Sequence, residues 1–405
     1  MKPIVRAGRM KPVHSDIRGP LFVEAMKRQK QGIDILKLNT GNPATFGFGL
    51  PDSIKNALIE HMQDGVGYCD FKGMPQARQA ICDYETSKGI KGITSDDVFI
   101  GNGVSEVVSF ALTPLLNDGD EVLVPSPSYS LWGNSVYLED GKPVFYTCDE
   151  QANWYPDIQD GRSKITDKTK AIVIINPNNP TGVLYPKELL LEIIQIARES
   201  GLLIFADEIY DRLVMDGKQH ISLASLTEDV PVITLNGLSK SHCLCGYRCG
   251  WMVISGPREL TEDYRQGIIQ LTSLRLCANT MAQIVIPAAL DDMETPASMV
   301  RPGGRIYEQR EATVRELEKI DGLSFVKNDA AFYVFPKLDV KKFNITNDKQ
   351  FAHDLLDVTN ILLVPGSGFD WKDPDHFRIV MLPQADILSD AIRRMGTFLD
   401  GYKQK

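Results

Sequence analysis

Short apolar runs alternate with amphipathic helical segments through the middle of the chain. Residues 171–175 and 202–206 are continuously apolar, which is typical of strands that are buried on both faces of a sheet. A helix is predicted between them over residues 186–200, with proline in its first turn and glycine after its end. Further strands are predicted at 98–101, 121–125, 142–147 and 232–235, and a further helix at 105–116. This alternation predicts an α/β fold with a mostly parallel sheet covered by helices on both sides.

The pattern changes past about residue 294. A long charged helix is predicted over 305–320, and short strands are predicted at 331–335 and 377–380. We therefore expect a large domain of residues 46–295. We expect a smaller α+β domain made of an N-terminal arm, residues 1–45, together with residues 296–405.

Composition excludes several classes of protein. A chain of 405 residues with a net charge of -9 is long enough for two lobes and lacks the basic character of nucleic-acid-binding proteins. No apolar stretch approaches the ~20 residues that span a bilayer, and the N-terminus has no apolar signal core. We expect a soluble cytoplasmic protein without membrane partners.

Seven cysteines, an odd number, do not suggest a disulfide framework. Cys243, Cys245 and Cys249 lie close together in sequence, as a metal site or redox switch would require. Their spacing matches zinc sites poorly, so we favour small buried residues beside a cofactor loop and expect no metal.

Four polar or glycine features each follow a strand-like run: Gly103, Asn179, Asp207 and Lys240. In parallel sheets, ligands bind beyond the carboxyl ends of the strands. The amine of Lys240, if buried, can form an imine with an aldehyde, and burial beside a cation such as Arg248 would lower its pKa. The alternative for Lys240 is a surface lysine in a loop.

The side chains near these strand ends form the inventory that holds pyridoxal phosphate (PLP). Asp207 can pair with a protonated pyridine nitrogen, or it can cap a helix. Tyr210 can direct its phenol at the same ring, or only pack. Asn179, in the turn Asn-Pro-Asn-Asn-Pro-Thr-Gly, can bond the phenolic oxygen of the ring. Tyr129 can stack on the ring, or belong to the core.

Two further groups would hold the charged ends of a cofactor and a substrate. The segment Gly-Asn-Gly-Val-Ser-Glu at 101–106 joins a strand to a helix, where backbone N–H groups favour a phosphate. Ser105, Ser239 and Arg248 would complete that cradle. Arg378 alternates with apolar neighbours and suits the α-carboxylate of an amino acid; otherwise it is an exposed strand arginine.

Taken together, Asn179-Pro-Thr-Gly, Ala206-Asp-Glu-Ile-Tyr210, Ser239-Lys240 and Gly246-Tyr-Arg248 resemble the class I aminotransferases among the fold-type I PLP enzymes. The resemblance covers nearly the whole chain. It implies a seven-stranded, mostly parallel sheet in the large domain. It also implies roles for the matching residues: imine formation and proton transfer by Lys240, pairing of the ring nitrogen by Asp207, bonds to the phenolic oxygen from Tyr210 and Asn179, stacking by Tyr129, phosphate binding by Gly103, Val104, Ser105, Ser239 and Arg248, and carboxylate binding by Arg378.

The family resemblance also implies a homodimer with shared active sites. Tyr68 matches the tyrosine that reaches the phosphate in the neighbouring subunit, and Gly41 matches the glycine whose backbone approaches the substrate carboxylate. Gly237 departs from the pattern, because many relatives carry a phosphate-binding serine there. The cradle is then short of one hydroxyl, unless Ser239 compensates.

Segments 14–20, 38–48, 67–70 and 273–279 resemble bacterial glutamate–pyruvate (alanine) aminotransferases. This resemblance implies ping-pong transfer of the amino group between L-alanine and 2-oxoglutarate, with amino acids and 2-oxo acids as ligands. Arg18 would meet the distal carboxylate of glutamate, with Arg275 a weaker candidate; both could instead form ion pairs. The alternatives are an aspartate or aromatic aminotransferase, a PLP-dependent C–S β-lyase, and a non-catalytic sensor, which would need a DNA-binding module that this chain lacks.

Overall fold

The structure is a computed structural model and describes residues 2–405. Its strands are β1 (Leu36–Lys37), β2 (Val98–Asn102), β3 (Glu121–Ser126), β4 (Lys142–Asp149), β5 (Tyr155–Pro156), β6 (Thr169–Ile175), β7 (Leu203–Asp207), β8 (Val232–Gly237), β9 (Cys249–Ser255), β10 (Leu323–Ser324), β11 (Tyr333–Val334), β12 (Lys337–Leu338), β13 (Ile361–Leu362), β14 (Val364–Pro365) and β15 (Phe377–Val380). Its α-helices are α1 (Pro20–Lys30), α2 (Asp52–His61), α3 (Pro75–Ser87), α4 (Val104–Leu112), α5 (Leu131–Leu138), α6 (Ile158–Ser163), α7 (Lys187–Ser200), α8 (Leu238–Ser241), α9 (Arg258–Arg275), α10 (Thr280–Ile284), α11 (Ile286–Asp291), α12 (Glu294–Val300), α13 (Arg305–Leu317), α14 (Val340–Phe343), α15 (Asp348–Thr359) and α16 (Ala385–Leu399).

The central sheet has eight strands in the order β2-β9-β8-β7-β6-β3-β4-β5. Strands β8, β7, β6, β3 and β4 run parallel, while β9 runs antiparallel to both of its neighbours. The mostly parallel α/β architecture is therefore confirmed. The strand beyond the predicted seven is the two-residue edge strand β5, which pairs antiparallel with β4.

Local sequence explains most element boundaries. Helix α7 begins after Pro186 and ends at Gly201, whose φ of 66° is favourable for glycine. The helix predicted to reach residue 116 ends instead at Leu112, because Pro114 cannot continue it. The predicted strand at 331–335 forms only as Tyr333–Val334, followed closely by Pro336.

Separate apolar cores underlie the two regions of the chain. Two clusters, centred on residues such as Ile174 and Val173, pack on the two faces of the central sheet. Another cluster joins residues from 21–38 to residues from 317–399. This grouping accords with the proposed smaller domain, whose boundaries stay a prediction. In residues 2–405 no single helix is long and apolar enough to cross a membrane, although α9 with α10–α11, as one sharply bent pair, passes on length and composition.

The strand directions place the carboxyl ends of the parallel strands along one edge. Strand β6 ends at Ile175, β7 at Asp207 and β8 at Gly237. The turn after β6 carries Asn179, and the short helix α8 after β8 carries Lys240. Residues far apart in sequence therefore meet at one edge of the sheet.

Candidate active site

Lys240 lies in the short helix α8, directly after β8. Its Nζ donates to the carbonyl oxygen of Gly41 at 2.9 Å and lies 5.9 Å from the centre of the Phe332 ring. The side chain is half-buried, unlike that of a surface lysine. Lys240 and Gly41, which are 199 residues apart in sequence, therefore lie within hydrogen-bond distance.

The expected lowering of the Lys240 pKa is not found. Burial lowers this pKa, but Tyr333, Cys245 and Tyr129 raise it by more, so the net direction is upward. The cation that opposes protonation is Arg378, not Arg248. The guanidinium of Arg248 is exposed and donates to backbone carbonyls instead.

Asp207 is a buried carboxyl at the end of β7, with only 5% of its surface exposed. Its oxygens accept from the indole Nε1 of Trp132 at 3.1 Å and from the backbone N–H of Ile209 at 3.3 Å. No helix begins here, so Asp207 is not a helix cap. Burial raises its pKa to about 6, against the lowering effect of these two donors. A cationic ring nitrogen would satisfy this carboxylate.

Arg378 is also buried, with 1% of its surface exposed, so it is not an exposed strand arginine. Its Nη1 donates to Oδ1 of Asn179 at 2.8 Å, and its Nη2 donates to the carbonyl of Asn39. The guanidinium lies 4.6 Å from the ring centres of both Tyr333 and Phe369. Its Nε has no hydrogen-bond partner among residues 2–405, and burial lowers its pKa. An anionic acceptor such as a carboxylate fits this buried donor.

Tyr210 is buried behind these groups, and its hydroxyl lies 2.9 Å from that of Tyr333. The Tyr333 hydroxyl also packs against Gly41, where a Cβ atom would lie only 2.4 Å from it. Tyr129 is half-buried and close enough to influence the pKa values of both Lys240 and Arg378. Amine, phenols and guanidinium thus share one region.

A second region gathers the predicted phosphate-binding residues. Gly103 precedes α4 with a φ of 83°, and a Cβ atom there would lie 2.2 Å from Nη2 of Arg248. Arg248 donates to the carbonyl of Cys245 at 3.0 Å, and the Cys245 thiol contacts the carbonyl of Ser239 at 2.9 Å. Val104 and Ser105 form the first turn of α4. Exposed N–H groups at a helix start beside a guanidinium suit a phosphate.

Gly237 has a steric explanation. A Cβ atom there would lie 2.5 Å from the carbonyl oxygen of Cys249, in the neighbouring strand β9. A Cβ atom on Gly250, its partner in the ladder, would lie 2.3 Å from the backbone nitrogen of Val104. Backbone atoms cannot swing aside as a flexible side chain does. The close approach of β8, β9 and the start of α4 therefore excludes a serine at position 237.

Two of the predicted site residues, Tyr68 and Arg18, do not contact the groups around Lys240, Arg378 and Arg248. Tyr68 is 82% exposed. Arg18 is exposed too, but its neighbour Ile17 accepts a hydrogen bond from the side chain of Asn39 at 2.9 Å, and Asn39 in turn contacts Arg378. Arg18 thus lies two contacts from the buried guanidinium.

Arg275 is held within its own chain. It pairs with Glu106 at 2.5 Å and donates to the backbone carbonyls of Phe71 and Ile100. The ion-pair alternative therefore describes Arg275, whose two terminal nitrogens are engaged within its own chain.

The cysteines near α8 do not converge on one point. Cys243 and Cys249 are buried, and burial raises the pKa of each thiol to about 12. Their sulfurs contact different groups, Met299 and the carbonyl of Ala282. Both behave as small packing residues.

One group of potential metal ligands occurs within residues 2–405: Glu208, Asp211 and His220. The ammonium of Lys88 already lies 2.8 Å from Glu208 and 3.3 Å from Asp211. This group is therefore a buried ion-pair network next to Asp207.

Sequence reasoning missed Trp132, Tyr333 and Asn39. Trp132 follows three residues after Tyr129, at the first turn of α5, which is a signal for a residue facing the same edge. Tyr333 falls within the predicted strand at 331–335. A phenol in a buried apolar run needs a hydrogen-bond partner, and that requirement was the available signal.

The donor set fits PLP on the observations above. A half-buried amine, a buried carboxyl without a cationic partner, a glycine cradle beside Arg248 and an unpartnered Arg378 Nε provide one complementary group for each end of the cofactor and substrate.

Comparison with known proteins gives a consistent result. Residues 33–392 match the family model described as aminotransferase class I and II. The chain is 50% identical over 404 residues to the glutamate-pyruvate aminotransferase AlaA of Haemophilus influenzae, covering 100% of both chains. It is 45% identical to an alanine aminotransferase of Mycobacterium bovis, over 100% of this chain and 94% of the relative. An aminotransferase crystal structure from Escherichia coli superposes with a TM-score of 0.98 at 47% identity, covering 100% of both chains.

Proposed function

This chain belongs to the class I and II aminotransferases, a family of PLP enzymes, and we propose that it transfers the amino group between L-alanine and 2-oxoglutarate. Full-length relatives at 45–50% identity that are named for this activity support the substrate pair. The observation that carries the proposal is that the amine of Lys240 and the guanidinium of Arg378, whose Nε has no partner among residues 2–405, lie in one region beside Gly41 and Asn179.

The cofactor would be held by groups from several elements. Lys240 would bind its aldehyde carbon, Asp207 its ring nitrogen, and Tyr210 with Asn179 its phenolic oxygen. Its phosphate would lie at the first turn of α4, between Gly103, Val104, Ser105, Ser239 and Arg248, with Tyr129 against the ring. When bound, PLP withdraws electrons from the Cα of an amino acid, which makes exchange of the amino group possible.

The protein's own residues supply positioning and proton transfer. Arg378 orients the substrate by binding the substrate carboxylate. The guanidinium can do so because it is itself held in place by two aromatic rings and by hydrogen bonds from both terminal nitrogens. Lys240 accepts and returns the Cα proton at Nζ, and the carbonyl of Gly41 directs that nitrogen. Buried aromatic rings, including Phe332 and Tyr333, exclude water from this region.

We further propose a homodimer with shared sites. Tyr68, at 82% exposure, follows Val66, which is 77% exposed. Leu274, at 82%, precedes Arg275, whose guanidinium donates to the backbone of Phe71 near Tyr68 in sequence. Such surface is typical of a subunit interface. Tyr68 would then reach the phosphate of the partner subunit. Arg18 would bind the distal carboxylate of glutamate at the mouth of the site.

A half-reaction screen tests the substrate assignment. The PLP-loaded enzyme is mixed with single amino acids, and loss of the visible cofactor absorbance is followed. Alanine and glutamate should bleach it rapidly, while aspartate and phenylalanine should not. The reverse order would refute the substrate pair. Borohydride reduction followed by peptide mass spectrometry should place the label on Lys240, and Lys240→Ala should carry none.

A further inference from the structure

Tyr333 occupies the point where the proposed cofactor and carboxylate regions meet. It is 2% exposed, and its hydroxyl lies 2.9 Å from that of Tyr210. Its ring lies 4.6 Å below the guanidinium carbon of Arg378, and its oxygen packs against Gly41. Among the neighbours of Lys240, it also has the largest effect in raising the pKa of that residue. One side chain therefore touches or influences four of the residues assigned to the site.

The hydroxyl of Tyr210 has a single hydrogen-bond partner within residues 2–405, and that partner is Tyr333. Burial holds the pKa of Tyr210 well above its ordinary value, so this phenol keeps its proton at neutral pH. A phenol has one proton to donate. If Tyr210 donates it to the anionic phenolic oxygen of the cofactor, as the proposed function requires, its own oxygen must accept from Tyr333.

We propose that Tyr333 is a positioning residue that acts through Tyr210. Its hydroxyl donates to the oxygen of Tyr210, fixes the direction of that phenol, and strengthens its donation toward the phenolic oxygen of the cofactor. Chained hydrogen bonds polarise one another, so the second donor is made stronger by the first. This inference rests on the proposed function and deepens it, because it gives a residue of the proposed smaller domain a role in the hydrogen bonding of the cofactor's phenolic oxygen.

The contributions of the Tyr333 ring and of its hydroxyl can be measured separately. Tyr333→Phe keeps the ring under Arg378 and so keeps the cation–π contact with the carboxylate-binding residue. It removes only the hydroxyl. We therefore expect kcat to fall about 5–10-fold while KM for alanine changes by less than about twofold.

The decisive readout is spectroscopic. The visible band of the bound cofactor is titrated with pH in the wild type, Tyr333→Phe, Tyr210→Phe and the double variant. A phenolic oxygen that receives weaker donation holds the neighbouring proton more tightly, so the midpoint in Tyr333→Phe should rise by about half a pH unit or more. The double variant should match Tyr210→Phe, because Tyr333 acts only through Tyr210.

A matched control and a second substitution secure the interpretation. Tyr146→Phe also removes a buried phenolic hydrogen bond, at 2.7 Å to the carbonyl of Val173, and should leave the midpoint unchanged. Replacement of Tyr333 by 3-fluorotyrosine keeps the shape but makes the hydroxyl more acidic. It should move the midpoint down.

Three results would overturn the proposal: a wild-type midpoint in Tyr333→Phe, additive shifts in the double variant, or no downward shift with 3-fluorotyrosine. A wild-type enzyme that binds no PLP or transfers no amino group would instead overturn the proposed function itself, and the inference with it.

Discussion

The charge of Asp207 should destabilise the cofactor-free protein as the pH rises. Burial raises its pKa from an ordinary 3.8 to about 6. The folded protein then holds a proton that the unfolded chain has released between about pH 4 and pH 6. A pKa shift of about two units corresponds to about 3 kcal/mol of unfolding free energy. This stabilisation is fully present below about pH 4 and is lost as the pH rises through 6. About 1.4 kcal/mol of that loss falls between pH 5 and pH 8.

Asp207→Asn isolates this contribution, because an amide does not titrate. An asparagine has one acceptor oxygen, so the N–H of either Trp132 or Ile209 loses its acceptor, at a cost of about 1–3 kcal/mol at every pH. That cost is a constant offset. The difference in unfolding free energy should therefore move in favour of the variant by about 1.4 kcal/mol from pH 5 to pH 8.

Urea unfolding of both cofactor-free proteins, followed by far-UV circular dichroism at four pH values, measures this change. Asp263→Asn, at an exposed position in α9, is the control and should show a flat difference. A flat difference for Asp207→Asn as well would refute the reasoning, and so would a trend in the opposite direction. With PLP added, the wild type should become more stable than Asp207→Asn at high pH, since a ring cation stabilises the carboxylate.

Three further outcomes follow from the geometry. Arg378→Lys loses the unpartnered Nε donor and the planar guanidinium, so steady-state kinetics should show KM for alanine raised by about tenfold or more; an unchanged KM would contradict its carboxylate role. Hydrogen bonds to Asp16 and Asp370 raise the pKa of His14 to about 9, so its stabilisation of the N-terminal arm is complete below about pH 6.5 and lost as the pH rises through 9. Limited proteolysis should cut the wild-type arm faster at pH 10 than at pH 7, and His14→Ala should abolish that difference. Gly237→Ala forces a Cβ atom to 2.5 Å from a backbone carbonyl and should lower unfolding stability by about 1–3 kcal/mol in thermal or urea unfolding; wild-type stability would show that the strands can separate.

The sequence predicted what depends on local pattern. Apolar runs marked β6, β7 and β8, and the direction of parallel strands then placed Asn179, Asp207 and Lys240 at one edge. The antiparallel strand β9 was not among the predicted strands, although its Trp251-Met-Val-Ile run is as apolar as the others. Only the four-residue helix α8 and a loop separate it from β8, so it did not match the alternation of strands with long helices that was used to find parallel strands.

The partners of the site residues could not be predicted in the same way. Trp132 reaches Asp207 across 75 positions, and Tyr333 reaches Tyr210 across 123. Such contacts depend on how the elements pack, which no local spacing encodes. The same holds for Gly237, whose small size follows from the distance between two backbones and not from any feature of its own segment.

Electrostatics connects these contacts to function. Asp207 and Arg378 are both buried, and neither has an ion-pair partner within 4.0 Å among residues 2–405. Most other buried charges there, such as Glu208, do have one. Isolated charges are costly to bury, so the fold offsets them with neutral groups: an indole and a backbone N–H for Asp207, two carbonyl oxygens and two aromatic faces for Arg378. Neutral partners leave each charge able to gain from an opposite one. A ring cation at Asp207 and a carboxylate at Arg378 would therefore both be bound by groups already in place, and Tyr333, bonded to Tyr210 and stacked on Arg378, joins the two regions.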